Sequence, residues 1–508
     1  MVAMDDSRPL LAPTTDSVDL WAALPQFTFL AVQVALANIT RIALLTIDNA
    51  FLGHLGATSL AAASLSATWI QVPLFTVWAM SSALVTLCGQ AYGAGNLTLM
   101  GIWLQMALLL VTVLAMPVAG WYLSVGTILT HATDDAAVVG LGARFARLLS
   151  LSIWPTLVYA CLRQYLQAMH IVAPTTANGV AAIVLTVGAN YFLIYTAGLG
   201  FDGSPLATVV ASWFQPAALF LYCFAYKQYH QEAWGGWKFA ELTRARWRTF
   251  LRMAVPLGAN DGLTYLANST LSLVVASLGV EVLAANAILL TLWVMLWALS
   301  FGVGCATQVS VATHLGGGRP RAAYTTSCLG LVVSLGTATT TVVLLYWTKH
   351  TVLGVFTSDS ALIAHCTDVL PLYLLAYALD SLEITLTATL NGMGQMPFVS
   401  MVTFVGMWGV QLPMAYLVAI YWEYGLRGVW IGYAATATFK LSVLGIKYCS
   451  VDWGVMAKNA VAAMEVDDEV RPGWHVECAV PSPVNAVFEV TPDVSSFSHH
   501  GATSCEAK

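Results

Sequence analysis

The chain has 508 residues, of which 58% are hydrophobic and only 9% are charged. Soluble domains typically contain about 25% charged residues, so a chain of this composition cannot cover itself with a solvated surface. The composition excludes a soluble enzyme, and also a nucleic-acid binder, which needs a basic surface against the phosphates. Because a helical crossing of a bilayer takes about 20 apolar residues, this length predicts a membrane protein with about twelve spans.

The formal net charge of −6 is concentrated outside the apolar body of the chain. Residues 1–20 and 449–508 together carry 13 acidic and 4 basic side chains, whereas residues 21–448 carry 13 acidic and 16 basic ones. An acidic start is the wrong flank for a cleaved signal peptide, which begins with positive charge. We therefore expect the first apolar segment to be a true span. The acidic segment 449–508 has little apolar periodicity and is expected to be mostly disordered.

Continuous apolar runs predict an all-α integral membrane protein rather than a β-barrel, whose strands would be short and alternating. Basic connections stay in the cytosol, and the connection 227–249 holds five basic side chains. The rule places this connection and both termini in the cytosol, in agreement with an even number of spans. The twelve predicted spans are 25–48, 59–86, 99–123, 142–168, 175–197, 205–226, 250–277, 284–310, 325–347, 369–391, 398–421 and 427–448.

The chain repeats itself at a nearly constant distance. Leu55-Gly56 recurs as Leu278-Gly279, and Gly93-Ala94-Gly95 recurs as Gly316-Gly317-Gly318, in both cases 223 residues later. The repeat predicts two homologous six-helix halves, which enter the bilayer in the same sense and are related by an axis along the membrane normal. The expected organisation is a cytosolic tail 1–24, an N-lobe 25–226, a cytosolic linker 227–249, a C-lobe 250–448 and the cytosolic tail 449–508, with a central cleft between the lobes.

Two glycine-containing motifs lie at the ends of the second and tenth predicted spans. Residues 83–96 read ALVTLCGQAYGAGN and residues 390–395 read LNGMGQ. Both strings resemble those that follow the second and tenth spans of the multidrug and toxic compound extrusion (MATE) family. The resemblance covers about 30–448 and implies an antiporter that exports organic cations or other amphipathic solutes in exchange for H+ or Na+. Glycines are expected there because tight turns need positive φ and close approach. The motif residues expected in cytoplasmic turns are Gly89, Gln90, Gly93, Gly95, Asn96, Gly316, Gly392, Gly394 and Gln395.

Few acidic side chains lie deep in a predicted span, where a charge costs about 2.5 kcal/mol or more. A carboxyl group in such surroundings becomes able to take up and release a proton. Asp380 is the leading candidate for ion coupling, because it falls on the tenth-span carboxylate that the resemblance implies. Glu383 lies close to one helical turn further on and either shares this proton or tunes it. The alternative for Asp380 is a structural ion pair with a base in another span, namely Arg41, Arg163 or Lys440.

Asp48 and Asp261 are further candidates for the coupling site. Asp48 resembles a first-span Asp of many bacterial members of the family, although a carboxylate at the outer interface is the alternative. In the seventh span many members carry Glu eight residues after the Pro, and here that position, counted from Pro256, is Thr264. Asp261 lies three residues earlier on a similar helix face, and we expect it to replace the missing Glu.

Uncharged polar and aromatic side chains within the spans are candidates for lining the cleft. Aromatic faces hold organic cations by cation–π contact, whereas interhelical hydrogen bonds and packing at the membrane interface are the structural alternatives. The candidates are Asn190, Asn260, Thr264, Tyr265, Asn268, Trp293, Trp297 and Tyr377. We expect neither a metal ion nor a cofactor, and no enzyme motif such as H-E-x-x-H occurs.

Alternatives to this function differ in the coupling ion, the transported substrate or the membrane in which the protein lies. Na+ is the alternative to H+, which is favoured on eukaryote-like features, and a lipid-linked oligosaccharide flippase of the same superfamily would need a cationic cleft. A sugar facilitator usually has a basic loop after its second span, but residues 89–96 contain no base. Residues 6–11 (DSRPLL) fit an acidic dileucine signal, which sorting adaptors of vacuolar or lysosomal membranes can read. The expected location is a vacuolar or lysosomal type of membrane or the plasma membrane. We expect a monomer in the lipid bilayer.

Overall fold

The computed structural model describes residues 20–229, 234 and 236–465, and in this part of the chain the regular elements are all helices. The prediction of an all-α membrane fold is therefore confirmed. The helices are α1 (Leu20–His54), α2 (Ala57–Gly93), α3 (Leu97–Leu129), α4 (Ala136–Ala168), α5 (Ala173–Thr196), α6 (Gly200–Tyr226), α7 (Arg244–Ala276), α8 (Val280–Gly316), α9 (Pro320–Phe356), α10 (Ser360–Gly392), α11 (Met396–Tyr421), α12 (Leu426–Ser450) and α13 (Trp453–Glu465).

Eleven of the described helices are long and apolar enough to cross a bilayer, and α7 is the remaining long helix of the expected twelve. Helix α7 has 33 residues, but its first three turns carry four arginines and Asp261 lies near its middle. The helices also run beyond several predicted spans: the predicted 59–86 is part of α2, and the predicted 284–310 is part of α8. Hydropathy marks only the apolar part of a helix, whereas these helices continue into polar and glycine-rich turns.

The internal repeat is visible in the backbone as well as in the sequence. Gly56 precedes α2 with φ 120° and ψ 161°, and Gly279 precedes α8 with φ 113° and ψ 164°. Gly95 and Gly318, which lie in the turns after these two helices, have φ of 74° and 66°. Glycines with matching positive φ therefore recur 223 residues apart. Helices α1–α6 (the first half) and α7–α12 (the second half) have the same six-helix arrangement.

The turns at Gly95, Gly318 and Gly394, all with positive φ, lie at the same end of the helices. We call this end of the bundle the glycine end. The two halves meet close to it through hydrogen bonds to the last turn of α10. Thr86 Oγ1 donates to the carbonyl of Asn391 at 2.9 Å, and Gln90 Nε2 donates to the carbonyl of Gly392 at 3.2 Å.

The motif glycines inside the helices serve close packing rather than turns. A Cβ atom at Gly93 would lie 1.9 Å from the Thr313 carbonyl oxygen, and one at Gly316 would lie 2.0 Å from the Gln90 carbonyl oxygen. The backbones of α2 and α8 therefore touch directly where the halves meet. The prediction of a cytoplasmic turn at Gly89, Gln90 and Gly93 is wrong, because α2 continues through Gly93.

The remaining motif residues lie beside the turns. Gly392 ends α10, where a Cβ atom would lie 2.9 Å from the Gln308 carbonyl oxygen. Asn96 caps α3, and its side chain accepts a hydrogen bond from the amide of Leu99 at 3.0 Å. Gln395 precedes α11, and its amide reaches the Met456 sulfur of α13 at 3.7 Å. The second motif thus joins the end of α10 to the segment after the last span.

The first part of the segment 449–508, which was expected to be mostly disordered, is helical in α13. Ala457 and Ala460 pack in an apolar cluster of the second half, whereas Met464 is 4% exposed within a cluster formed mainly by the first half, with part of α7. Spaced three or four residues apart, these side chains form one helix face. The apolar face was overlooked because it is short and composed mainly of alanine. Residues 466–508 lie outside the described residues.

We predict that Gly316→Ala lowers the thermal stability of the purified protein. The added methyl would fall within the backbone of α2, and such overpacking typically costs about 1–3 kcal/mol. Gly336→Ala is the matched control, since a Cβ there meets nothing within 4 Å and alanine favours helix. Thermal unfolding in detergent measures both variants. Equal melting temperatures for the two would contradict the close contact of the halves.

A second prediction concerns α13. Met464→Asp places a charge in the apolar cluster of the first half and should lower the melting temperature, because an unpaired charge is costly in apolar surroundings. Asn459→Asp adds the same charge on the exposed face of α13 and should leave the melting temperature nearly unchanged. If both variants melt like the unmodified protein, α13 does not pack on the helices as described.

Candidate binding cavity

A cavity of about 370 Å³ lies between the halves, beyond the contacts of the glycine end. Two helices of the first half, α2 and α4, and five of the second half, α7, α8 and α10–α12, contribute side chains to its wall. Gln308 and Asn391, close to the contacts of the glycine end, belong to the lining. Eight of the predicted site residues also line it: Asn260, Asp261, Thr264, Asn268, Trp293, Trp297, Asp380 and Glu383.

Glu383 is held by two partners on the cavity wall. Lys440 Nζ of α12 lies 2.8 Å from its Oε2, and Thr387 Oγ1 donates to its Oε1 at 2.7 Å. Glu383 is only 2% exposed, so this ion pair is buried. Both oxygens of the Glu383 carboxylate therefore have donors, and the pair with Lys440 adds no net charge to the wall.

Asp380 lies about one helical turn before Glu383 but has different contacts. It is half-buried, lines the cavity, and within the described residues it forms neither a hydrogen bond nor an ion pair. Glu383 and Lys440 act on it only through space. The proposed alternative, a structural pair with Arg41, Arg163 or Lys440, is thus not formed in this structure. Asp380 thus faces the cavity without a counterion in direct contact.

Asp261 stands on α7, another part of the cavity wall. Its Oδ1 accepts a hydrogen bond from Asn260 Nδ2 at 3.1 Å, and Arg41 acts on it electrostatically. Thr264 lines the cavity one turn further along α7. The structure therefore places Asp261 on the same side of α7 as the position where a Glu was expected, but on a different wall from Asp380.

Asp48 lies away from the cavity, inside the first half. Asn190 Nδ2 of α5 donates to its Oδ1 at 3.0 Å, and Thr208 Oγ1 of α6 donates to its Oδ2 at 2.7 Å. The sequence singled out Asp48 and Asn190 separately but gave no sign that they are bonded. A hydrogen bond between the first and fifth spans depends on tertiary packing.

Aromatic rings of the second half form a cluster next to the cavity. The ring of Trp293 lies 5.5 Å from Tyr373, 5.4 Å from Trp430 and 5.7 Å from Tyr433, measured between centroids. Trp293 and Tyr433 line the cavity, whereas Tyr373 and Trp430 are buried behind them. A cation near Trp293 would therefore meet a wall of supported rings.

Two predicted aromatic residues have other contacts. Tyr377 does not line the cavity, and its hydroxyl donates to the Leu296 carbonyl at 3.4 Å. Tyr265 also lies outside the lining, and its hydroxyl donates to Gln71 Oε1 of α2 at 3.0 Å. Their contacts join neighbouring helices. Among the candidates on α8, Trp297 stacks at 4.8 Å on Phe301, and both line the cavity.

Several polar residues of the cavity were not predicted as site residues. They lie on the inward faces of apolar helices. An uncharged glutamine or threonine within a span does not stand out in the sequence as an acidic or basic side chain does. Lys440 did carry a signal, as a base within a predicted span, but the choice of Glu383 over Asp380 as its partner depends on helix rotation. The overlooked residues include Gln164, Gln308, Thr387, Gln411, Tyr433 and Thr436. Within the described residues, no group of three or more His, Cys, Asp or Glu side chains is placed to hold a metal ion.

Comparison with known proteins places this architecture in a family. The family profile described as MatE matches residues 34–192 and 256–417, one segment in each half. Multidrug and toxin extrusion protein 1 of Oryctolagus cuniculus is 31% identical over 80% of this chain and 72% of its own length. The protein of the same name from Homo sapiens is 30% identical over 78% of this chain and 69% of its own.

Solved structures agree with this assignment at the level of the fold. The crystal structure of the eukaryotic MATE transporter AtDTX14 matches with a TM-score of 0.80 at 21% identity, over 88% of this chain and 99% of that one. A MATE transporter described in an outward-facing conformation matches with a TM-score of 0.77 at 16% identity, over 86% and 96%. With a family profile over both halves and relatives at 30% identity or more, the chain belongs to the MatE family of multi-pass membrane transporters.

Proposed function

We propose that this protein is a secondary active antiporter that exports organic cations or cationic amphipathic solutes from the cytosol in exchange for H+. The carrying observation is the unpaired carboxylate of Asp380 in a cavity between the halves, next to the neutralised pair of Glu383 and Lys440. The names of the relatives support this function, since they describe multidrug and toxin extrusion.

Competition for one charge supplies the coupling. With Glu383 and Lys440 cancelling each other, ionised Asp380 leaves this cavity wall with a net charge of −1, which attracts an organic cation. Once Asp380 is protonated the wall is neutral, and the attraction is lost. A proton and a cation thus exclude each other from the wall, and an exchanger needs this differential affinity. Rings such as Trp293 would hold the flat apolar part of the substrate.

Alternating access requires that the contacts of the glycine end open and close. In the present structure Thr86 and Gln90 bridge the halves there, and the glycine end is the expected cytosolic side. The cavity is then closed toward the cytosol, as in an outward-facing state. An inward-facing state must break these hydrogen bonds and separate Gly93 from Thr313.

Asp48 serves as a second proton site in the first half under this proposal. Both of its oxygens accept hydrogen bonds, from an amide and a hydroxyl, and the buried Asn190 Oδ1 has no hydrogen-bond partner among the described residues. A sodium ion needs oxygen ligands around it. The contacts of Asp48 therefore do not separate H+ from Na+, and Na+ coupling is the alternative to be tested.

The cavity also bears on the other candidate functions. A flippase for lipid-linked oligosaccharides would need a cationic cleft, and Asp261, Asp380 and Glu383 make this lining rich in acids. We propose a monomer in a vacuolar or lysosomal type of membrane, with the plasma membrane as the alternative. The dileucine sequence that suggests this location, residues 6–11, lies outside the described residues.

The central prediction is that Asp380→Asn abolishes proton-driven uptake. Liposomes with an acidic interior should accumulate tetraethylammonium or a cationic dye through the unmodified protein, because protons leave as cations enter. The variant keeps the shape of Asp380 but cannot ionise, so accumulation should fall to the level of empty liposomes. Asp368→Asn is the control on the same helix, since Asp368 is exposed and paired with Arg427, and it should transport normally.

The ion is tested in the same liposomes. If an inside-high sodium gradient drives accumulation at equal pH, the protein is sodium-coupled and the proton proposal is wrong. If Asp380→Asn still concentrates the dye under a proton gradient, another carboxylate carries the coupling, and Asp261→Asn and Asp48→Asn are the next variants to examine.

A further prediction concerns the buried pair itself. Lys440→Met leaves Glu383 as an unpaired buried charge, which typically costs about 3–5 kcal/mol, and should lower the melting temperature strongly. The double variant Glu383→Gln with Lys440→Met removes both charges and should recover much of the loss. Thermal unfolding of the two single variants and the double variant measures this coupling. Strict additivity of the three shifts would show that the two side chains are not paired.

A further inference from the structure

Two arginines on the first-half side of the cavity share one aromatic ring. The guanidinium carbon of Arg41, on α1, lies 5.2 Å from the ring centroid of Trp78, and that of Arg163, on α4, lies 5.3 Å from it. Arg163 is 6% exposed, and Arg41 Nε is buried without a hydrogen-bond partner. Within the described residues, neither guanidinium forms an ion pair with a carboxylate.

The ring alone does not compensate for two buried cations. A cation–π contact contributes about 0.5–2 kcal/mol, whereas the effective penalty for burying an ion is several kcal/mol, and two like charges beside one ring also repel. Asp261 acts on Arg41 from a distance and accepts its hydrogen bond from Asn260 instead. The cluster therefore has an excess of positive charge that an anionic group would offset.

The cluster borders the cavity. Trp78 and Gln164, the residue after Arg163, both belong to the cavity lining. Arg163 also acts electrostatically on Cys305, which lines the cavity from α8. Arg41 and Arg163 are not themselves part of the lining but contact its Trp78 on the first-half side, whereas Asp380 and Glu383 line the cavity from the second half.

We propose that Arg41, Arg163 and Trp78 form a subsite for a carboxylate, and that the substrates are zwitterionic amphiphiles. The cationic group of such a substrate faces Asp380, and its carboxylate faces the two guanidiniums, which suit planar carboxylates because they donate in pairs. The aromatic body of the substrate lies near Trp78. The binding of the cationic group at Asp380 rests on the proposed function, whereas the binding of the carboxylate at the two arginines does not.

A matched pair of dyes tests the subsite. Rhodamine 110 carries a free carboxylate and is zwitterionic, whereas rhodamine 123 is its methyl ester and a simple cation. Fluorescence polarisation with the purified full-length protein in detergent measures binding of both dyes. The unmodified protein should bind rhodamine 110 more tightly, and Arg163→Gln and Arg41→Gln should each weaken rhodamine 110 about tenfold, the loss of a charge-assisted contact, without weakening rhodamine 123. Arg147→Gln, an exposed arginine on the same helix, should change neither.

A measurement on the unmodified protein keeps the inference testable if an arginine variant does not fold. At constant ionic strength, benzoate should displace rhodamine 110 while benzamide, its uncharged counterpart, should not. Equal affinity for the two dyes, equal losses for both in the arginine variants, or equal competition by benzoate and benzamide would each overturn the subsite.

Failure of the proposed function has a different signature. If Asp380→Asn leaves the binding of rhodamine 123 unchanged, Asp380 does not hold the cationic group. Arginine-dependent binding of rhodamine 110 would still stand in that case, since it reports only on Arg41 and Arg163.

Discussion

The different surroundings of Asp380 and Glu383, two carboxylates about one turn apart on α10, are the constraint on which the account depends. Lys440 and Thr387 satisfy Glu383, and the pair adds no net charge to the cavity. Asp380 keeps a charge that no described side chain offsets by direct contact. An unbalanced charge on this wall of the cavity is sensitive to both protons and organic cations, which is what exchange requires. If Lys440 were paired with Asp380 instead, the wall would keep its net charge of −1, but the carboxylate without a partner would be Glu383.

The scaffold converts this local chemistry into a transport cycle through the glycine end. There the backbones of α2 and α8 touch at Gly93 and Gly316, and hydrogen bonds from Thr86 and Gln90 reach the last turn of α10. Asp380 is on that same helix, about three turns from Asn391. Occupancy of the cavity and closure of the glycine end therefore act on one rigid element. Helix α13 packs on both halves at this end, so it too is part of the closed arrangement.

Features fixed by local sequence could be predicted, whereas those fixed by helix rotation could not. Apolar runs predicted the helical membrane fold, and the 223-residue repeat predicted two related halves, which Gly56 and Gly279 confirm with nearly identical backbone angles. Hydropathy missed the true ends of α2 and α8, and the short apolar face of α13. The acids of α7 and α10 were found because charge is rare in a span. Which base would pair with which acid could not be found, since it depends on how α10 and α12 face each other.

Proton release on substrate binding tests the central claim most directly. Purified protein in a weakly buffered solution with a pH indicator is mixed with tetraethylammonium over a range of pH, and the protons released are compared with the cation bound. The account predicts that binding of the cation displaces a proton from Asp380, and that the Asn variant releases none. Binding of the cation to the unmodified protein without any release of protons would contradict the account.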